Sequence, residues 1–168
     1  MACRALGILL LAAILTGCGT RQITVDGLQR GYRLHVPDTY TGTAPVPLLL
    51  AFHQFSDTAA GMEKLTGFNG LADREGFIVA YPQGRFRIWR VGEAEGIDDV
   101  AFVEALVDVL AAEYNIDPNR IYATGASAGG MMAQYLACKT NRFAAIATVM
   151  GSIERPLSEA CAPARIPV

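Results

Sequence analysis

Histidine is scarce in this 168-residue chain: His35 and His53 are the only two. No His-Glu-x-x-His, no Cys-x-x-Cys and no aspartate-rich calcium loop occurs, and these are the patterns that hold catalytic zinc, redox pairs and calcium. Neither a metal nor a cofactor is therefore expected. Positive charge is also limited. Fourteen Lys and Arg stand against 16 Asp and Glu, for a net charge of −2 and no basic stripe, which argues against nucleic acid as a partner. Beyond Ser127 there is no histidine and no aspartate, and Glu154 and Glu159 are the only acids. No internal repeat or low-complexity tract is present. With 52% hydrophobic and 18% charged residues, the chain is neither disordered nor fibrous.

The longest apolar run near the start, Ala5 to Ile14, falls short of the roughly 20 residues that span a bilayer as a helix. It has the length of a signal-peptide core, with Arg4 before it. The segment ends Leu15-Thr16-Gly17-Cys18, which resembles a bacterial lipobox. Residues 1–17 are thus expected to be a lipoprotein signal peptide. Cys18 is expected to be the acylated first residue of the mature chain, an extracytoplasmic protein held at a membrane surface by buried methylenes. A plain secretory signal with an incidental Cys18 is the alternative. Of the remaining cysteines, Cys138 and Cys161 belong to the mature chain. An oxidising compartment favours a disulfide between them over two buried thiols.

In residues 18–168, strands alternate with helices. Short strands are expected at Gln22–Val25 and Arg33–Val36, the latter containing His35, which is read as structural or at the surface. Val46 to Phe52 and Phe77 to Tyr81 are continuous apolar runs, as in strands buried on both faces. One helix is expected from about Ala59 to Glu75, ending at Gly76, and an irregular excursion from Gln83 to Gly96 carries the one tryptophan, Trp89. Asp98 and Asp99 open a helix whose Val103, Leu106, Val107, Leu110 and Tyr114 share one face; both aspartates are read as capping residues. Asp117-Pro118-Asn119 reads as a turn, Ile121–Thr124 as a strand, Ala128–Lys139 as a helix and Phe143–Met150 as a strand. Ile166–Val168 starts another. The alternation implies βαβ units and a mostly parallel sheet covered on both faces.

Gly125-Ala126-Ser127-Ala128-Gly129 matches G-x-S-x-G. In that motif a strand turns sharply into a helix so that the serine hydroxyl projects above the sheet edge. Glycines on either side allow the backbones to cross where a Cβ would collide, and the helix N-terminus favours a developing oxyanion. The flanking IYAT and AGGMMAQYLA supply the strand and the helix.

Gly96 to Cys138, with the elbow inside it, together with Arg30–Pro37, Ala72–Gly84 and Phe143–Ser152, resembles the secreted polyhydroxybutyrate-depolymerase-like and feruloyl-esterase-like branch of the α/β-hydrolases. The resemblance implies a three-layer α/β-hydrolase fold with a mostly parallel central sheet, here lacking its C-terminal strands and helix. It implies a serine esterase that attacks an ester carbonyl through Ser127 and forms an acyl-enzyme. The oxyanion would be held by the Ala128 N–H and by an N–H of the His53-Gln54-Phe55 loop, from Gln54 or Phe55. It also implies the Cys138–Cys161 pair. Two departures stand out. The family has His-Gly where this chain has His53-Gln54, and the family's acid and base follow the nucleophile, where this chain has neither. A chain that stops before its catalytic Asp and His is the expectation. His53 is expected to position its loop rather than act as the base. His53 and Trp89 are candidates for the substrate pocket, since loops on a rigid sheet carry specificity; packing of the excursion by Trp89 is the equal alternative. Hydroxyalkanoate polyesters, feruloyl or acetyl esters on polysaccharide and small esters are the candidate substrates. A non-catalytic, lipid-anchored binding protein on the same scaffold and an acyltransferase are the alternatives.

Overall fold

The computed structural model describes residues 19–90 and 97–152. Outside them lie the signal segment, Cys18, residues 91–96, Glu154, Glu159, Cys161 and the strand expected at Ile166–Val168.

The chain opens with a hairpin of β1 (Arg21–Val25) and β2 (Leu28–His35). Asp26 and Gly27 form its two-residue turn at φ 50° and 76°. A two-residue turn with positive φ at both positions matches the right-handed strand twist, and Asp-Gly is its common sequence. β2 thus begins at Leu28, earlier than its apolar content suggested. β3 (Val46–Phe52) and β4 (Ile78–Pro82) follow, and all of β4 is buried. β5 (Ile116–Ala126) and β6 (Ala145–Val149) complete a six-stranded sheet in the order β1-β2-β4-β3-β5-β6. β1, β2 and β4 pair antiparallel, and β4, β3, β5 and β6 run parallel.

Successive side chains of a strand point to opposite faces, and the two cores divide accordingly. Leu48, Leu50, Phe52, Ile78 and Ala80 pack on one face with helices α3 (Asp99–Glu113) and α4 (Ala128–Lys139). Ala51, Val79 and Tyr81 pack on the other with α1 (Ala59–Thr66) and α2 (Phe68–Glu75). The result is the three-layer arrangement expected.

Three local readings need correction. The single helix expected from Ala59 to Glu75 is two helices. Gly67 stands between them in the left-handed region (φ 61°), its N–H donating to the Glu63 carbonyl to close α1, a conformation glycine adopts without a Cβ clash. The turn at Asp117–Asn119 exists, but as an insertion within β5: Ile116 pairs with Val46 and Ile121 with Leu48. Asp117 closes it by accepting from the Asn119 N–H and from Arg120 Nε. Only one of the two aspartates caps α3. Asp98 Oδ1 accepts the N–H groups of Val100 and Ala101 at 2.8 and 3.0 Å. Asp99 is instead fully buried in an ion pair with Arg30 and accepts the Arg90 N–H at 2.6 Å. The Arg30 guanidinium lies 3.9 Å from the Phe102 ring centroid. A charge at this depth is stable only when paired and hydrogen-bonded.

Candidate active site

β3, β4, β5 and β6 end on the same edge of the sheet, at Phe52, Pro82, Ala126 and Val149. Ligands bind at this carboxyl edge in open α/β sheets. Ser127 sits there, between the end of β5 and the first residue of α4, with φ 51° and ψ −117°. Its N–H donates to the Val149 carbonyl at 2.8 Å and its carbonyl accepts the Met131 N–H at 3.0 Å. These bonds hold a non-glycine residue in a backbone region that costs on the order of 1–3 kcal/mol.

The flanking glycines are there because of contact. A Cβ on Gly125 would stand 2.3 Å from Gly129 backbone atoms, and one on Gly129 would stand 2.1 Å from the Phe52 carbonyl oxygen and 2.7 Å from that of His53. The first turn of α4 therefore lies directly against the end of β3, where the His53-Gln54-Phe55 loop begins. Ala128 is the first residue of α4, so its N–H has no acceptor inside the helix. The loop's left-handed residue is Ser56 (φ 63°), not Gln54. The replacement of glycine by Gln54 thus creates no positive-φ strain at that position.

His53 is fully buried. Its Nδ1 lies 2.8 Å from the Gln54 carbonyl oxygen, and its Nε2 faces the Gly84 N–H at 3.0 Å and Gln83 Nε2 at 3.1 Å. Those partners assign a neutral ring with the proton on Nδ1. Burial pushes the pKa below its ordinary 6.5, because desolvation disfavours the imidazolium. With both nitrogens engaged, this ring has none left for the serine proton. His35 is held by Asp73 at 2.7 Å and pairs with Val79, near the start of β4 and away from the edge that carries Ser127. Among the described residues no histidine is placed to act as base.

Residues 30–161 match the family model described as esterase PHB depolymerase. The chain belongs to that family. It is 32% identical over 129 residues to the bifunctional acetylxylan esterase/xylanase XynS20E of Neocallimastix patriciarum, covering 75% of this chain and 18% of that one. It is 32% identical over 127 residues to poly(3-hydroxyalkanoate) depolymerase C of Paucimonas lemoignei, covering 70% and 30%. Among solved structures, the acetyl xylan esterase from Aspergillus awamori superposes with a TM-score of 0.70 at 23% identity, over 80% of this chain and 52% of that one. At that identity the superposition shows the shared fold. The chain spans between 18% and 58% of the length of the curated relatives it matches.

Within this esterase-family frame, Trp89 is a buttress of the loop. It is buried, its ring meets that of Phe52 edge-on at 5.2 Å and that of His53 at 4.7 Å, and its Nε1 donates to the His53 carbonyl at 2.8 Å. The Ser56 N–H donates to the Arg87 carbonyl at 2.9 Å. Residues 83–89 therefore hold the loop in place, in line with the packing reading of Trp89 and the loop-positioning reading of His53 rather than with their pocket reading. Phe55, by contrast, is 68% exposed at the loop tip. Cys138 is disulfide-bonded; its expected partner, Cys161, lies outside the described residues.

Proposed function

We propose that this chain carries the nucleophile and oxyanion site of a carboxylic-ester hydrolase. The observation that supports it most is the strained backbone of Ser127 (φ 51°) at the start of α4, packed against the loop after β3 through Gly129. In this reading Ser127 Oγ attacks the ester carbonyl carbon, the alkoxide leaves with a proton, and an acyl-serine remains for water to cleave. The negative charge on the carbonyl oxygen is met by the Ala128 N–H and by an N–H from Gln54 or Phe55. His53 and Trp89 act behind that loop, fixing where its N–H groups point. His53 and His35 are committed elsewhere, so the group that takes the serine proton is not among the described residues.

The names of the relatives suggest ester substrates on polysaccharide or of the hydroxyalkanoate type. Acylation of Cys18 would hold the domain at a membrane outside the cytoplasm, with Cys138 paired to Cys161. The test is labelling of the natural polypeptide, purified from its source, by a fluorophosphonate. Labelling that disappears in Ser127→Ala is expected. Labelling that survives the substitution removes Ser127 from the role. The intact mass of the same sample shows whether the natural polypeptide exceeds 17.9 kDa.

A further inference from the structure

At the same sheet edge as Ser127, over the ends of β4 and β2, lies a pocket of about 270 Å³ lined by Gln29, Gly31, Thr58, Gln83 and the turn Arg85–Arg87. The proposed chemistry makes no use of its arginine side chains. Arg21, Arg30, Arg33, Arg120 and Arg142 each have a carboxylate partner. Among the described residues, Arg85 and Arg87 have none. The acid of the adjoining turn, Asp57, accepts the Thr58 N–H at 2.8 Å. The pocket therefore bears two guanidinium groups that have no carboxylate partner among the described residues.

The turn that bears these arginines is closed and strained. The Arg87 N–H donates to the Gly84 carbonyl at 3.0 Å, and a Cβ on Gly84 would stand 2.4 Å from the Ile88 carbonyl oxygen. Phe86 and Arg87 are consecutive non-glycine residues at φ 55° and 64°, a kind of strain that clusters at ligand clamps. It leaves Phe86 71% exposed, with the Arg85 guanidinium 5.1 Å from its ring centroid. The same turn carries the Arg87 carbonyl that holds Ser56, so the pocket is tied to the loop beside the nucleophile. β3 alone separates β4 from β5 in the sheet. Two strand spacings place the pocket roughly 10 Å or more from Ser127.

We propose that Arg85 and Arg87 form an acid-recognition subsite that binds a free carboxylate on the substrate, remote from the ester bond over Ser127. The planar guanidinium fork matches a carboxylate in geometry as well as charge, and Phe86 offers an apolar wall to the chain between. Two sources share this chemistry: the acid end of a hydroxyalkanoate oligomer and a uronic acid of an acylated polysaccharide. The inference deepens the ester-hydrolase reading and rests on it for the position of the ester, but not for the binding of the acid.

The experiment measures binding rather than turnover, in the natural polypeptide carrying Ser127→Ala. One arm titrates the linear 3-hydroxybutyrate trimer and its methyl ester by calorimetry. The other titrates an acetylated xylo-oligosaccharide with and without a glucuronic acid branch. In at least one arm the acid should bind about tenfold or more tightly than its neutral analogue, the value of one charge-assisted hydrogen bond, and the arm that does so names the source. That preference should fall to about one in Arg85→Gln/Arg87→Gln and shrink with added salt. Equal binding of acid and neutral analogue in both arms, no binding in either, or a preference that survives the double substitution overturns the proposal. If the double variant melts below the assay temperature, Arg87→Gln alone, at an exposed side chain, should reduce the preference. Turnover of p-nitrophenyl acetate by the unsubstituted polypeptide tests the hydrolase reading separately.

Discussion

Gly129 and Phe52 are in backbone contact: a Cβ on Gly129 would stand 2.1 Å from the Phe52 carbonyl oxygen. This contact joins the first turn of α4, just after Ser127, to the strand that launches the His53-Gln54-Phe55 loop, so the second glycine of G-x-S-x-G sets the distance between the two halves of the proposed site. Gly129→Ala must push them apart. It should lower stability by about 1–3 kcal/mol, the usual cost of overpacking, and slow fluorophosphonate labelling of Ser127 by more than tenfold. Thermal melts and labelling rates on the same samples check both. Unchanged labelling with lowered stability would mean that the contact is structural only.

Ser127 is held at φ 51°, where glycine is strain-free and other residues are not. Ser127→Gly should therefore raise the melting temperature while abolishing labelling, with a gain of about 1 kcal/mol. Ser127→Ala, which keeps the Cβ, should lose labelling without that gain. Denaturant midpoints of the three proteins decide it.

Burial lowers the pKa of His53 below 6.5. Between the lowered native pKa and 6.5 the unfolded chain binds a proton that the native chain does not, so stability falls as the pH drops through that window. Melts at pH 7.5 and 5.5 should show a drop for the unsubstituted protein. His53→Gln, uncharged at both, should show a smaller one even though it is less stable at pH 7.5.

Asp99 neutralises Arg30 at a depth where both are nearly inaccessible to solvent. Removing one partner leaves a buried charge, so Asp99→Ala should cost about 3–5 kcal/mol in urea unfolding. Replacing both, as in Arg30→Met/Asp99→Leu, should recover much of that loss. If the double replacement is as unstable as the single one, the Arg90 N–H that Asp99 also accepts is the more important contact.

Much of the site was legible locally because its signals are local. A strand, a Gly-flanked serine and a helix adjoin one another in the chain, so the turn that places Ser127 between β5 and α4 could be read from spacing. The buried runs Val46–Phe52 and Phe77–Tyr81 likewise announced their strands through unbroken apolar content. The hairpin turn was equally local, in Asp26-Gly27, and its Asp-Gly signal could have been read. Membership in the esterase family followed from stretches of resemblance that run through the whole middle of the chain.

What only the tertiary structure decided depends on residues far apart in sequence meeting where water is excluded. Asp99 looks like a cap beside Asp98 until the fold brings Arg30, 69 residues away, against it. For His53 and Trp89 the sequence left a pocket role and a packing role both open; the fold chooses packing by aiming the Trp89 Nε1–H at the His53 carbonyl and the Gly84 N–H at the His53 ring. Arg85 and Arg87 carry no sequence signature; that neither has a carboxylate partner among the described residues is visible only in the folded surface. Composition and periodicity record which residues prefer burial, but not which polar groups find partners there. That pairing, set by the cost of burying an unsatisfied charge or N–H, is decided only when residues distant in sequence are brought into contact.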